Sequence, residues 1–147
     1  MHHGRVHPSS TFSALVSSPP RSGDSTPPQP GSRGWYELAP EILRQRLVIE
    51  GVPAGPVDDE QIRQYLSALS REVDMVQLLE PVTHRSDLYG WAGWIHWETS
   101  GAHFYAWEQP RLFFSVDIYT CKAFDPDVAV AFTREFFSAG TIVAKSF

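Results

Sequence analysis

Ser100, in the dipeptide Ser100-Gly101, is the first residue of this sequence whose type and surroundings could support chemistry. A serine hydroxyl acts as a nucleophile when a base activates it. Hairpin turns also favour Ser and Gly, and neither a Gly-x-Ser-x-Gly motif nor an inferable His/Asp arrangement surrounds Ser100. The residues alone therefore indicate a turn serine and give no support to a hydrolase.

Cys121 and two histidines are the other candidates for chemistry. Cys121 ends a β-rich run, and an isolated cysteine is more often a small buried hydrophobe than an acid or a nucleophile. His96 and His103 lie on neighbouring runs and could face each other, but without carboxylate or cysteine support they do not define a metal site. Structural and functional roles both stay open for these residues.

The elements before Ser100 predict the first half of a sheet. Residues 43–52 alternate in polarity and stop at a Gly-Val-Pro sequence, which predicts a first strand. Asp58 is a helix N-cap followed by an acidic first turn. The predicted buried face of this helix consists of Ile62, Tyr65, Leu66 and Leu69. Residues 75–79 predict a second strand, and the polar residues 84–87 lead away from it.

The elements around and after Ser100 complete the prediction. Residues 91–98 and 102–107 are β-rich and flank residues 99–101, which have the composition of a hairpin connection. Residues 112–121 predict a central strand, and Asp125 caps a second helix that ends at Gly140. The predicted buried face of this helix consists of Val128, Ala131, Phe132 and Phe136. Residues 141–144 predict the last strand.

This order of elements predicts a two-layer α/β (α+β) sandwich, with two helices on one face of a largely antiparallel sheet. On the run 91–98, one face carries Trp91, Ile95 and Trp97, whereas the other carries Trp94 and His96. Neither face is therefore fully polar. A dimer or a ligand would cover the second face, and an ordinary strand with an exposed tryptophan would explain the pattern equally well.

Composition limits the partners and the compartment. A formal net charge of −5 without clustered Lys and Arg argues against a nucleic-acid partner and favours a small-molecule ligand. The single cysteine cannot form an internal disulfide, and no apolar run is long enough for a signal peptide or a membrane span, so we expect a cytoplasmic protein. The Pro-, Ser- and Gly-rich residues 1–34 predict a disordered extension, on which His2, His3 and His7 have no fixed metal geometry. Residues 35–147 predict one folded domain.

The segment from His84 to Cys121 resembles the core of the bacterial and archaeal S-adenosylmethionine decarboxylase family. The family signature runs approximately HRF-x-P-x-G-x-SG, then ESH-x-x-x-H-T-W-P-E, then D-x-F-T-C. The residues that carry the resemblance are His84-Arg85, Tyr89-Gly90, Gly93, Ser100, Trp107 and Asp117-Ile118-Tyr119-Thr120-Cys121. The resemblance extends over nearly all of residues 44–147.

The resemblance implies a specific chemistry for Ser100. In the family this serine attacks the preceding peptide bond, and the chain is cleaved into a fragment ending at Thr99 and a fragment beginning with a pyruvoyl group. This self-generated cofactor condenses with the amine of S-adenosylmethionine and draws off electrons during decarboxylation, in the service of polyamine (spermidine) biosynthesis. Cys121 then matches the residue that protonates the substrate carbon, and Trp107 and Gln109 match substrate-binding positions. The family also implies a homodimer.

Several positions depart from the family signature. Tyr105 stands where the family has a processing histidine, and Ala92 stands where it has a serine. The other substitutions are Ser86 for an aromatic residue, Thr99 for Glu, Gly101 for His and Gln109 for Glu. On a strand, His103 projects to the same side as Tyr105 and lies two residues nearer Ser100. We hypothesise that His103 transfers the proton during cleavage while Tyr105 donates a hydrogen bond.

Two alternatives remain beside S-adenosylmethionine decarboxylation. The altered positions Ser86 and Gln109 are compatible with a decarboxylase of another amino acid, such as ornithine or arginine. Ala92 and Tyr105 are compatible with an unprocessed, non-catalytic homologue that binds an adenosyl ligand or regulates a partner.

Overall fold

The computed structural model describes residue 34 and residues 36–147, and Ala39–Phe147 forms one compact unit. The predicted N-terminal extension lies outside the described residues apart from Gly34, as do His2, His3 and His7. The elements, in chain order, are β1 Gln45–Val52, α1 Asp59–Glu72, β2 Val82–Ser86, β3 Gly90–Trp97, β4 Ser100–Trp107, β5 Phe113–Thr120, α2 Pro126–Phe136 and β6 Thr141–Ser146.

The strands form one six-stranded antiparallel sheet in the order β2-β3-β4-β5-β1-β6. Both helices pack on one face of this sheet, with α1 against β3 and α2 against β1 and β6. The predicted two-layer α+β sandwich is therefore confirmed. Within the described part of the chain, neither helix is long and apolar enough to cross a membrane.

The alternation of side chains along the strands creates two different faces. The inner face carries the buried core residues, among them Ile49, Phe104 and Val116, which pack against the helices. The other face, called the open face below, has no helix of the described chain on it. Its residues include Arg46, Trp94, His96, His103, Tyr105, Trp107, Asp117 and Tyr119.

Helix α1 has the predicted start and the predicted buried face. The Asp58 carboxylate accepts from the Gln61 N–H, and the Gln61 side chain accepts from the Asp58 N–H, so the two residues form a capping box. All four predicted core residues are buried, together with Ser70. Tyr65 lies at the centre of the core, where its ring packs against Phe104 and Phe137.

Helix α2 begins at the predicted N-cap, Asp125, but its buried face is rotated relative to the prediction. Val128 is 39% exposed and Ala131 is also exposed, whereas Ala129 and Thr133 are buried. Thr133 can be buried because its hydroxyl forms hydrogen bonds with the Ala129 carbonyl and with Tyr65. The helix ends at Phe136, before the predicted Gly140.

The predicted second strand, residues 75–79, is wrong. This segment forms one isolated bridge, between Gln77 and Trp97, and the second strand is β2, which begins at Val82. The apolar character of residues 75–79 indicated a strand there. The actual second strand, β2, lies at the edge of the sheet, where it pairs with one neighbour only and needs no apolar residues. Its polar residues His84 and Arg85 are therefore free to face solvent.

Candidate active site

The β3–β4 hairpin places Ser100 differently from the prediction. Trp97 pairs with Ser100, so Glu98 and Thr99 form a two-residue turn and Ser100 is the first residue of β4. Ser100 has a φ of 118°, in a region that residues with a side chain rarely adopt. A backbone conformation of this kind costs about 1–3 kcal/mol of strain energy. The strained residue directly follows the Thr99–Ser100 peptide bond.

Gly101 has to be glycine because β3 approaches it closely. A Cβ atom at this position would lie 2.2 Å from the Ile95 carbonyl oxygen, which is backbone and cannot move aside. The family histidine at this position therefore does not fit the present hairpin. Gly101 pairs with His96, whose side chain lies on the open face next to the turn.

The carbonyl of Thr99 is held by Cys121. The Cys121 N–H donates to the Thr99 oxygen over 3.0 Å, and the Cys121 thiol lies 3.6 Å from the same oxygen. Cys121 directly follows β5, whose last residue, Thr120, pairs with Ser100. The hairpin turn and the end of β5 thus bring Thr99, Ser100 and Cys121 together. Cys121 is exposed, not a buried hydrophobe.

A cavity of about 570 Å³ opens beside Ser100 on the open face. Its lining consists of Arg46, Trp94, Ile95, His96, Ser100, Gly101, His103, Asp117 and Tyr119. The sequence prediction missed Arg46, Asp117 and Tyr119 as site residues, although Asp117 and Tyr119 lie in the motif that ends at Cys121. Alternation along β5 places these two side chains on one face, and pairing of β1 with β5 adds Arg46.

An ion pair between Arg46 and Asp117 forms part of the cavity lining. The Arg46 guanidinium donates to both carboxylate oxygens of Asp117, over 2.9 Å and 2.7 Å. This hydrogen bonding and the negative charge of Asp117 raise the pKa of Arg46. The Arg46 side chain also lies over the Phe147 ring, 5.2 Å from the centroid. Both charged groups of the pair therefore already have interaction partners within this chain.

His103 lies in the same cavity as Ser100, whereas Tyr105 does not line it. The two rings are stacked along β4, with centroids 6.4 Å apart. Tyr105 pairs with Ala92 across β3 and β4, so two of the positions that depart from the family signature are direct neighbours. His96 and His103 share the cavity, but among the described residues no group of three or more His, Cys, Asp or Glu could hold a metal ion.

Trp107 and Gln109 are at the other end of β4 from Ser100. Seven residue-to-residue steps of extended strand separate Trp107 from Ser100, a distance of about 23 Å at about 3.3 Å per step. Trp107 packs against Tyr105 and Phe113 on the open face. Gln109 lies in the loop after β4, where it is exposed. Within one chain, these two residues do not reach the cavity beside Ser100.

Comparison with known proteins identifies the family. The family model for S-adenosylmethionine decarboxylase matches residues 49–147. Among solved structures, the chain is similar to the crystal structure of the adenosylmethionine decarboxylase from Aquifex aeolicus VF5, with a TM-score of 0.60 and 16% identity over 72% of this chain and 89% of that chain. At this identity the likeness shows the fold alone, and no curated protein matches the chain. Because the family model covers most of the sequence, the chain belongs to the S-adenosylmethionine decarboxylase family.

Proposed function

We propose that this protein is a pyruvoyl-dependent S-adenosylmethionine decarboxylase that cleaves itself between Thr99 and Ser100. The observation that carries this proposal is the double contact of Cys121 with the Thr99 carbonyl, next to a strained Ser100. Its product would supply polyamine (spermidine) synthesis, as the family resemblance implies.

Self-cleavage would begin with attack of the Ser100 hydroxyl on the Thr99 carbonyl carbon. The C–N bond breaks, an ester forms on Ser100 Oγ, and the Ser100 nitrogen takes up a proton. Charge that develops on the Thr99 oxygen is stabilised by the Cys121 N–H, which already points at that oxygen over 3.0 Å. Loss of the Ser100 Cα proton then expels Thr99 as a carboxylate, and water replaces the nitrogen with release of ammonia. Backbone strain at Ser100 favours the attack on the Thr99 carbonyl, because breaking the C–N bond releases that strain.

The residues present fit a pyruvoyl group at position 100. Ser100 supplies all of its carbon atoms, it is half-buried, and it borders the cavity in which a substrate would lie. When present, the group supplies a ketone that accepts the substrate amine and withdraws electrons as the carboxylate leaves. The Cys121 thiol lies 3.6 Å from the Thr99 oxygen, and this closeness supports its proposed role as the residue that protonates the substrate carbon.

His103 is the proposed proton-transfer residue of self-cleavage. It lines the cavity with Ser100 and Gly101, whereas Tyr105 is one side chain further along the open face. Tyr105 is 42% exposed, so its hydroxyl has access to solvent or to a second molecule. This arrangement supports His103 as the base and gives Tyr105 at most the role of a hydrogen-bond donor.

The cavity favours S-adenosylmethionine over ornithine or arginine. The basic tail of either amino acid needs an unpaired carboxylate, but Asp117, the carboxylate among the lining residues, already bonds to Arg46 through both oxygens. A sulfonium ion can instead lie against aromatic faces, which Trp94 and Tyr119 supply in the same cavity.

We further propose that the protein is a homodimer formed through the open face. Tyr105 and Tyr119 are 42% and 46% exposed there, and no helix of the described chain covers them. The positions assigned to the substrate are also divided, with Ser100 at one end of β4 and Trp107 at the other. A second copy packed in the reverse direction would bring Trp107 of one chain towards Ser100 of the other. Sedimentation equilibrium that gives a monomer at assay concentrations would reject this assembly.

One observation favours a second candidate, the unprocessed homologue. Ala92 and Tyr105 are cross-strand partners, so both polar groups that the family uses for processing are lost at one place on the open face. A chain of this kind would keep the fold and the cavity but would neither cleave nor decarboxylate.

Release of labelled carbon dioxide tests the proposed activity. Purified protein is incubated with carboxyl-labelled S-adenosylmethionine, ornithine or arginine, and Ser100→Ala serves as the matched inactive control. Release from S-adenosylmethionine by the wild type alone is the expected result. Release from ornithine or arginine would reassign the substrate, and no release from any of the three would favour the unprocessed homologue.

A further inference from the structure

We infer that Met75 is a positioning residue for self-cleavage, and that it orients the Thr99 carbonyl through the hydrogen bond between the Thr99 hydroxyl and the Met75 sulfur. This inference rests on the proposed cleavage between Thr99 and Ser100. Met75 lies in the connection between α1 and β2, outside the motifs that carry the family resemblance. It contacts the turn from the helix side of the sheet, opposite the cavity.

The hydrogen bonds run from the end of β5 to Met75. The Lys122 N–H donates to the Thr120 hydroxyl over 3.0 Å. The single proton of the Thr120 hydroxyl has three acceptors within reach: the Lys122 carbonyl at 3.2 Å, Thr99 Oγ1 at 3.3 Å and the Met75 sulfur at 3.7 Å. The Thr99 hydroxyl then donates to the Met75 sulfur over 3.2 Å. The Met75 sulfur is therefore the acceptor of the Thr99 hydroxyl, and the Thr120 hydroxyl packs against both of them.

Met75 is itself fixed in place. Its side chain is 7% exposed, and its N–H donates to the Ser70 carbonyl at the end of α1 over 2.8 Å. The Ser70 hydroxyl accepts from the indole N–H of Trp97, the residue paired with Ser100. The next residue, Val76, accepts from the Glu98 N–H of the turn over 3.0 Å. Both ends of the turn are therefore tied to the segment that carries Met75.

The hydrogen bond to Met75 affects the orientation of the scissile Thr99–Ser100 peptide. A Thr99 side chain held on the helix side limits rotation of the residue, so that its carbonyl stays directed at the Cys121 N–H. Without the sulfur acceptor, the Thr99 hydroxyl would turn to solvent or to Thr120, and the carbonyl would leave Cys121 more often. Attack by Ser100 would then occur less often in the productive geometry.

The first test is a double-mutant cycle on the rate of self-cleavage, measured on freshly translated precursor. Met75→Leu keeps the volume and removes the acceptor, and Thr99→Val keeps the shape and removes the hydroxyl. Each variant should slow cleavage about two- to tenfold, as expected for one hydrogen bond. The double variant should be no slower than Thr99→Val, and Thr99→Ser should restore the wild-type rate. Leu69→Met, a buried exchange in α1 at a residue whose side chain makes none of these hydrogen bonds, is the control.

Additive effects in the cycle, or an unchanged rate in Met75→Leu, would overturn the inference while leaving the proposed function intact. If the wild type does not cleave at all, the proposed function fails separately. A second measurement then still decides whether Met75 orients the Thr99 carbonyl, because it needs no cleavage. In the Ser100→Ala precursor, the Cys121 amide should exchange with solvent several-fold faster once Met75→Leu is added. An unchanged exchange rate of that amide would reject the role of Met75.

Discussion

The main-chain N–H of Cys121 donates to the carbonyl oxygen of Thr99, and the Cys121 thiol lies 3.6 Å from the same atom. This relationship connects a hairpin turn to the end of the neighbouring strand β5, at the peptide bond that precedes Ser100. A hydrogen-bond donor fixed on a carbonyl before reaction is the arrangement that stabilises an oxyanion. The carbonyl next to Ser100 therefore has a hydrogen-bond donor, Cys121, which the local sequence around Ser100 does not predict.

Ser100→Gly should stabilise the uncleaved protein relative to Ser100→Ala. Both variants lack the hydroxyl and remain precursors, but only glycine adopts a φ of 118° without strain. We expect Ser100→Gly to be more stable by about 1 kcal/mol in urea denaturation, the reverse of the usual effect of glycine in a strand. Equal stability, or a more stable Ser100→Ala, would show that Ser100 is not strained.

Gly101→Ala should destabilise the hairpin. Its Cβ would lie 2.2 Å from the Ile95 carbonyl oxygen, so β3 and β4 would have to separate, at a cost of about 1–3 kcal/mol. Gly140→Ala is the matched control because a Cβ there meets no atom within 4 Å. Thermal unfolding measures both variants, and a Gly101→Ala protein as stable as Gly140→Ala would contradict the close approach.

His103→Gln should slow self-cleavage by about 10²-fold if His103 transfers the proton. The amide keeps hydrogen-bonding capacity but does not accept a proton at neutral pH. His96→Gln is the comparison, since His96 lines the same cavity. A larger loss in His96→Gln than in His103→Gln would assign the role to His96, and cleavage at the wild-type rate in both would exclude a histidine of this cavity.

The two fragments should stay together after cleavage. The fragment ending at Thr99 contributes β1, which lies between β5 and β6 of the other fragment, and its β3 pairs with β4. Three strand interfaces therefore join the fragments. Native mass spectrometry should show one particle containing both fragments, and their separation without denaturant would contradict this interlocked sheet.

Tyr65 should make the stability of the fold sensitive to high pH. Burial raises the pKa of Tyr65 above its ordinary value of 10.0, and the hydrogen bond with Thr133 opposes this only in part. The stabilisation is complete below about pH 10, and it is lost as the pH rises further because the unfolded chain ionises first. The loss should approach about 1.4 kcal/mol per pH unit.

Tyr65→Phe is the matching variant for this prediction. It should be less stable at pH 7 by about 0.5–1.5 kcal/mol, because one hydrogen bond is lost. Between pH 10 and pH 11 its stability should fall less steeply than that of the wild type. Parallel curves of the free energy of unfolding against pH would contradict the assignment.

Local signals predicted most of the fold. The cap at Asp58 and the apolar spacing after it located α1, and the cap at Asp125 located the start of α2. The phase of the buried face of α2 was missed because Thr133, polar by type, is buried through its hydrogen bond to Tyr65. The strand β2 was missed because an edge strand needs no apolar residues.

The site was predictable only in part. The resemblance assigned roles to Ser100 and Cys121, and in the structure both residues lie next to Thr99. Met75 was not predicted as a site residue because its role depends on a contact between two segments distant in sequence. Arg46 was missed for the same reason, since only the pairing of β1 with β5 places it beside Asp117.

The intact mass of the purified protein under denaturing conditions tests self-cleavage most directly. We expect two species, residues 1–99 with a free carboxylate and residues 100–147 beginning with a pyruvoyl group. Together they should differ from the precursor by the gain of one water and the loss of one ammonia. Ser100→Ala should give the full-length mass only. A wild-type protein that also shows only the full-length mass would contradict the proposed cofactor, and with it the proposed activity.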